Sequence, residues 1–179
     1  MYANLKEADK QHLNKYKMAH CIGVAEYMRE RAIDYSVDPD VAYVVGLLHD
    51  IGYLNMRSDH ELEGSQILLE TGLDPESDAY FAIKYHGTNP YDLLSNDELS
   101  EKVISPMLVL LYEADMSVNK YGYRVGFDER LKDIAENNRN NGNYEIACLT
   151  SQQTVKFVKE YQKANGISKP YFYNKNRER

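Results

Sequence analysis

Apolar side chains along this chain recur at three- and four-residue steps, the period of helices that bury one face. Over residues 9–34 the positions Leu13, Tyr16, His20, Val24 and Tyr27 keep that step, which predicts a long first helix with His20 on its inward stripe. Residues 35–38 read as a turn into a second helix, where Asp38 suits the cap and Pro39 the first helical position. Val41, Val45 and Leu48 share a face there with His49; Asp50 follows, and Gly52 is read as the left-handed residue after the helix. Ile51 to Asp59 is expected to be a loop, with Ser58 or Asp59 capping a third helix over 60–71 that begins at His60. Asp74-Pro75 is read as opening a fourth helix in which Ala79, Ile83 and His86 line one face. A polar loop over 88–102 leads to Ser105-Pro106, the start of a fifth helix in which Asp115 points where leucines point. A loop over 119–127, a short helix over 129–137 and a long helix from Tyr144 to Ala164 complete the pattern. Ile146, Leu149, Val155 and Val158 are among the apolar positions of that last helix. The expected fold is an all-α, single-domain helical bundle over residues 1–166, followed by a basic and flexible tail over 167–179.

Composition narrows the function classes. A chain of 179 residues can bury one substantial core, and its net charge of −7 argues against a nucleic-acid surface or a polybasic membrane anchor. Neither a membrane nor a stable nucleic-acid partner is therefore expected. Cys21 and Cys148 form no disulfide framework and no metal-binding pair. The N-terminus lacks the apolar core of a signal peptide and no apolar run reaches bilayer length, so a cytoplasmic location is expected. A homodimer stays open.

The candidate chemistry lies in six residues of ligand type on otherwise apolar faces: His20, His49, Asp50, His60, His86 and Asp115, from five helices. Any one such histidine is ordinarily a core imidazole bonded to a carbonyl, and Asp115 could instead pair with Arg124. An ionised carboxylate beside Val and Leu is costly unless a cation meets it. Imidazole and carboxylate are good donors to Zn, Fe or Mn, and four histidines with two aspartates are most simply explained by one shared metal site. Arg57, Lys120 and Arg124 lie in loops near the ligand-bearing helix ends and are candidates for substrate phosphate. Tyr53, Tyr85 and Tyr112 are expected to pack rather than to stack on a base.

The order His20, His49-Asp50, Asp115 resembles the HD superfamily of metal-dependent phosphohydrolases over roughly residues 15–120. His60-Glu-Leu-Glu-Gly64 and Ala82-Ile-Lys-Tyr-His86 are similar to the subgroup that cleaves diadenosine tetraphosphate. The resemblance implies that His20, His49, Asp50 and Asp115 bind a first divalent cation, and His60 and His86 a second, with Asp50 bridging. It implies one or two ions of Fe, Mn, Mg or Zn, and His49 and Asp50 as the catalytic pair. The implied reaction is hydrolysis of a small phosphorylated substrate, a nucleotide-type phosphoester or phosphoanhydride, by a metal-activated water. The chain departs from many relatives in having Tyr53 and Met116 where they carry lysine, which bears on the substrate. Its ligand set also resembles HD-fold proteins that activate O₂ at a mixed-valent di-iron centre, so an oxygenase is the alternative. A non-catalytic sensor is a third reading, against which the full ligand set argues.

Overall fold

A computed structural model describes residues 7–55, 60–96, 103–140 and 142–168. Helix α1 (Glu7–Arg31) ends in a 3₁₀ turn, Ala32–Tyr35, three residues before its periodicity would stop it. Ser36 there takes a left-handed φ of 56° and turns the chain toward α2 (Pro39–Leu48). The Asp38 carboxylate caps α2 by accepting from the N–H groups of Asp40 at 2.9 Å and Val41 at 3.0 Å. The two helices pack closely because Gly46 has no side chain: a Cβ there would lie 2.7 Å from the Ala25 Cα. The inward face of α2 is Ala42, Val45 and Gly46, whereas Val41 is exposed, against the expectation that it shares the buried side.

A second 3₁₀ turn, Ile51–Asn55, follows α2, and α3 (His60–Glu70) lies against it. Gly52 is not in the left-handed region, where the glycines are Gly72, Gly122 and Gly166. What requires glycine at this position is a close approach. A Cβ on Gly52 would stand 1.8 Å from the His60 carbonyl oxygen and 2.6 Å from the Gly64 nitrogen. Ser58 and Asp59, read as caps, lie outside the described residues.

Helix α4 spans Asp78–Tyr85 and starts later than Asp74-Pro75 suggests. Asp74 instead makes a turn, accepting from Glu76 N–H at 2.9 Å on its side chain and from Ser77 N–H at 3.1 Å on its carbonyl. Ser77 then caps α4 through Tyr80 N–H. After the short α5 (Pro90–Leu94) comes α6 (Pro106–Asp115), capped by Ser105. Every residue from Met107 to Ala114 is buried, and α6 touches α1, α2, α4 and α8. It is the axis of the core.

Helices α7 (Phe127–Asn138) and α8 (Tyr144–Asn165) pack on one another. α8 buries Val155, Phe157 and Val158 but leaves Ile146 66% and Leu149 56% exposed, so those two expected core positions are surface ones. The helix is longer than the core beneath it. Eight α-helices, two 3₁₀ turns and one isolated antiparallel bridge, Val118 with Arg124, make up the regular elements named among the described residues, which contain no strand. No helix among them is long and apolar enough to cross a membrane. All but Ile167 and Ser168 of the expected tail lies outside the described residues.

Candidate metal centre

The C-terminal ends of α2 and α4, the start of α3, the middle of α1 and the end of α6 converge on one point. His20, His49 and Asp50 offer one ligand atom each within 4.8 Å of one another, and so do Asp50, His60 and His86. Asp50 therefore belongs to both triads. Its Oδ1 lies 3.3 Å from His60 Nε2 and 3.6 Å from His86 Nε2, while Oδ2 lies 3.6 Å from His49 Nε2. Asp115 joins through His20, whose Nε2 is 2.9 Å from Asp115 Oδ1.

The local fold decides which nitrogen faces the site. His49 Nδ1 donates to Gly46 O and His86 Nδ1 to Ile83 O, each at 2.8 Å, three residues back at a helix C-terminus. His20 Nδ1 donates at 3.1 Å to Asn119 O, in a loop shaped by the Asn119 side chain accepting from Tyr121 and Tyr123 N–H. A carbonyl only accepts, so each Nδ1 carries the hydrogen and each Nε2 turns a lone pair inward. Lone pairs facing carboxylate oxygens are favourable only with a proton or a cation between them. Donor atoms about 2.1 Å from a common ion stand about 3.0–3.4 Å apart, and the contacts here run from 2.9 to 3.6 Å. The residues fit a divalent metal, and the Nδ1 bonds are of the kind that orient metal-ligating imidazoles.

The electrostatics run the same way. Burial pulls the His49 imidazole down to about 4, so it is a neutral donor. Burial also opposes ionisation of Asp50, but the facing imidazoles of His49, His60 and His86 and the Lys17 ammonium outweigh it and hold the carboxyl well below its usual range. Asp115 is likewise opposed by burial and held down by the facing His20 imidazole and the charge of Arg130. For His86, burial lowers the imidazole and the Asp50 contact raises it, with a net upward shift.

The site opens into a cavity of about 820 Å³ whose wall carries Lys17, Lys120 and Arg130. Lys17 Nζ lies 3.1 Å from Asp50 Oδ2 and 3.4 Å above the Tyr53 ring, whose other neighbour is the His60 ring at 4.0 Å between centroids. Arg130 donates from Nη2 to Asp115 Oδ1 and from Nε to the Asp115 carbonyl, both at 3.1 Å, and from Nη1 to Asp133 at 3.0 Å. Among the residues named for phosphate, Lys120 lines the cavity and donates to Asn137 Oδ1 at 3.2 Å. Arg124 does not line it. The chain reverses at Gly122, and the Val118–Arg124 bridge sends Arg124 back along α1 to Glu30 at 2.6 Å. Arg57 lies outside the described residues, as does the side chain of His12. Tyr112 packs as expected: it is buried, with its hydroxyl 2.9 Å from Thr88 O and 3.1 Å from Tyr85 O.

Sequence reasoning missed Lys17, Arg130 and Glu61, which lines the cavity with its Oε2 3.3 Å from His60 Nδ1. Lys17 carried a signal, since it precedes His20 by one helical turn on the same side. Arg130 carried none, because α7 has the pattern of an ordinary surface helix.

The uncharacterized protein MJ0778 of Methanocaldococcus jannaschii is 31% identical over 130 residues, covering 60% of this chain and 76% of that protein. No solved structure matches the chain significantly. A family model described as HD domain matches residues 18–120, the span that holds all six ligand-type residues, and the chain belongs to this HD domain family of metal-dependent, hydrolase-type proteins with a His/Asp site.

Proposed function

We propose that this protein is a metal-dependent phosphohydrolase acting on a nucleotide-type phosphoester or phosphoanhydride, dinucleoside polyphosphates included. The observation that carries the reading is Asp50 shared between two donor triads at the floor of a cavity walled by Lys17, Lys120 and Arg130. His20, His49, Asp50 and Asp115 would hold one divalent cation, and His60 and His86 a second with Asp50 between. When bound, such cations supply Lewis acidity, neutralising phosphoryl oxygens and making a water more acidic.

The chain's own groups do the rest. The Nδ1 bonds of His20, His49 and His86 lock the rings, so ligand binding costs little reorganisation. Arg130 holds Asp115 by two contacts from one guanidinium, Nη2 to the carboxylate Oδ1 and Nε to the backbone carbonyl. Lys17 and Lys120 bring positive charge to a cavity in a protein of net charge −7, where a polyanion would otherwise be repelled. Tyr53, held between His60 and Lys17, forms a rigid wall beside Asp50.

The test is phosphate release by manganese-loaded protein in an anaerobic chamber, on nucleotides and dinucleoside polyphosphates. Turnover there is the expected result. No release from any of them, with metal content verified, counts against the reading. Product formation only with iron and oxygen would replace it with the oxygenase.

A further inference from the structure

A second cavity, of about 350 Å³, adjoins the first along a rim formed by His60, Glu61, His86, Asp115 and Ile134. Beyond that rim the two differ in kind. The wall peculiar to the first cavity carries Lys17, Lys120 and Arg130. The wall peculiar to the second has no charged residue; it is built chiefly by one face of α8, with Ile146, Ala147, Thr150, Ser151 and Thr154. Ser151 and Thr154 donate their hydroxyl hydrogens to Ala147 O at 2.7 Å and Thr150 O at 2.9 Å, within the helix. Their remaining capacity is as acceptors. The exposed Ile146 side chain stands in this wall rather than against the core.

An uncharged wall that mixes apolar surface with hydroxyls and the Asn143 side chain suits a flat or ring-bearing group that carries hydrogen-bonding groups and no charge. The volume falls at the lower end of small-molecule sites, about 300–1,000 Å³. A molecule lying across the shared rim would put its anionic part toward the cations and its neutral part against α8, with the bond between them over the His/Asp centre. Resting on the phosphohydrolase reading, we infer that the second cavity is a subsite for the nucleoside portion of the substrate, with Ala147 and Thr150 setting its depth and polarity.

The experiment is calorimetric titration of manganese-loaded protein with inorganic phosphate and, singly, with the four ribonucleoside 5′-monophosphates. At least one nucleotide should bind about tenfold or more tighter than phosphate, and Ala147→Phe should erase that difference while leaving phosphate affinity and metal content alone. Thr150→Val, which keeps the shape and removes the hydroxyl, should cost a few-fold in nucleotide affinity only. In unsubstituted protein loaded with diamagnetic magnesium or zinc the Ile146 methyl resonance should shift with nucleotide and not with phosphate, which answers the question even if Ala147→Phe destabilises the fold. Phosphate binding without any nucleotide preference, or a preference that survives Ala147→Phe in a folded protein, would overturn the subsite alone. Failure to bind either phosphate or nucleotide would overturn the phosphohydrolase reading and the subsite with it.

Discussion

Glu113 and Asp115 are carboxylates two residues apart on α6, the first fully buried and the second partly exposed to a cavity, and their surroundings are opposite. Glu113, fully buried, accepts from the hydroxyls of Tyr27 at 2.8 Å and of Tyr35, and meets Arg31 Nε at 3.4 Å. Tyr35 in turn accepts from Gln162 Nε2 at 3.1 Å. Every neighbour of this charge is a donor, and it lines none of the cavities described above. Asp115 faces a histidine nitrogen whose hydrogen is on the other side of the ring, and it opens into the cavity of about 820 Å³. Burial of a carboxylate is therefore not what marks a site. The mark is acceptors turned toward acceptors beside a space that a ligand can enter.

The comparison can be broken at its strongest point first. Asp50→Asn keeps shape and removes the charge common to both triads, so metal content should collapse and turnover fall by about three orders of magnitude or more, with the helical circular dichroism unchanged. Retention of two metals per chain would show that the carboxylate is not the shared ligand.

Next in size is the other cluster. Glu113→Ala leaves Arg31 and two tyrosines without their acceptor and should cost about 3–5 kcal/mol in urea unfolding, with metal stoichiometry of the folded fraction unaltered. Loss of metal in that variant would join the two clusters into one.

A smaller effect is expected where a cation supports a ligand carboxylate. Arg130→Ala should weaken metal binding about 10–100-fold, and Arg31→Ala should leave it untouched while lowering stability. Metal competition titrations decide this, and equal responses would dissolve the contrast between the guanidinium that positions Asp115 and the one beside Glu113.

The smallest effect is the pH dependence of the metal-free protein. His49 is held below its ordinary value of about 6.5, so its contribution is present above that pH and is lost as pH falls through about 4. His86 is raised, so its contribution is present below about 6.5 and is lost as pH rises through its folded value. The two slopes face each other, and urea midpoints should show a shallow maximum near pH 6.5. Below pH 4 the depressed Asp50 and Asp115 add a steeper loss, because both must be protonated on unfolding. A steady rise from pH 5 to 8 would contradict this balance.

Much of the helical framework was legible in the chain itself, because a helical period reports which face of each element is buried. The placing of His20, His49, His86 and Asp115 on apolar stripes follows from that period, and Asp38-Pro39 and Ser105-Pro106 mark the two helix starts they cap. Local signals failed where two readings of a residue compete. Pro75 suits a helix start, yet the Asp74 side chain captured the backbone in a turn first. Gly52 suits a left-handed cap, yet what demands glycine there is the backbone of α3.

Periodicity is blind to how one helix sits on another, and the tertiary structure alone decided everything of that kind. Arg124 and Arg130 have the same chemistry six residues apart; the reversal at Gly122 sends the first to Glu30, and α7 aims the second at Asp115. Ile146 and Leu149 match the apolar stripe of α8, but that helix outruns the core, so one wall of a cavity stands where a core contact was expected. Glu113 gave no sign of burial, since its partners come from α1 and the turn after it, far from Glu113 in the chain. The sequence by itself determined which groups could serve as donors and the helix faces that bear them. Which cation, acceptor or cavity each group meets is set by the crossing and rotation of packed helices, a property of pairs of elements that no single stretch of sequence contains.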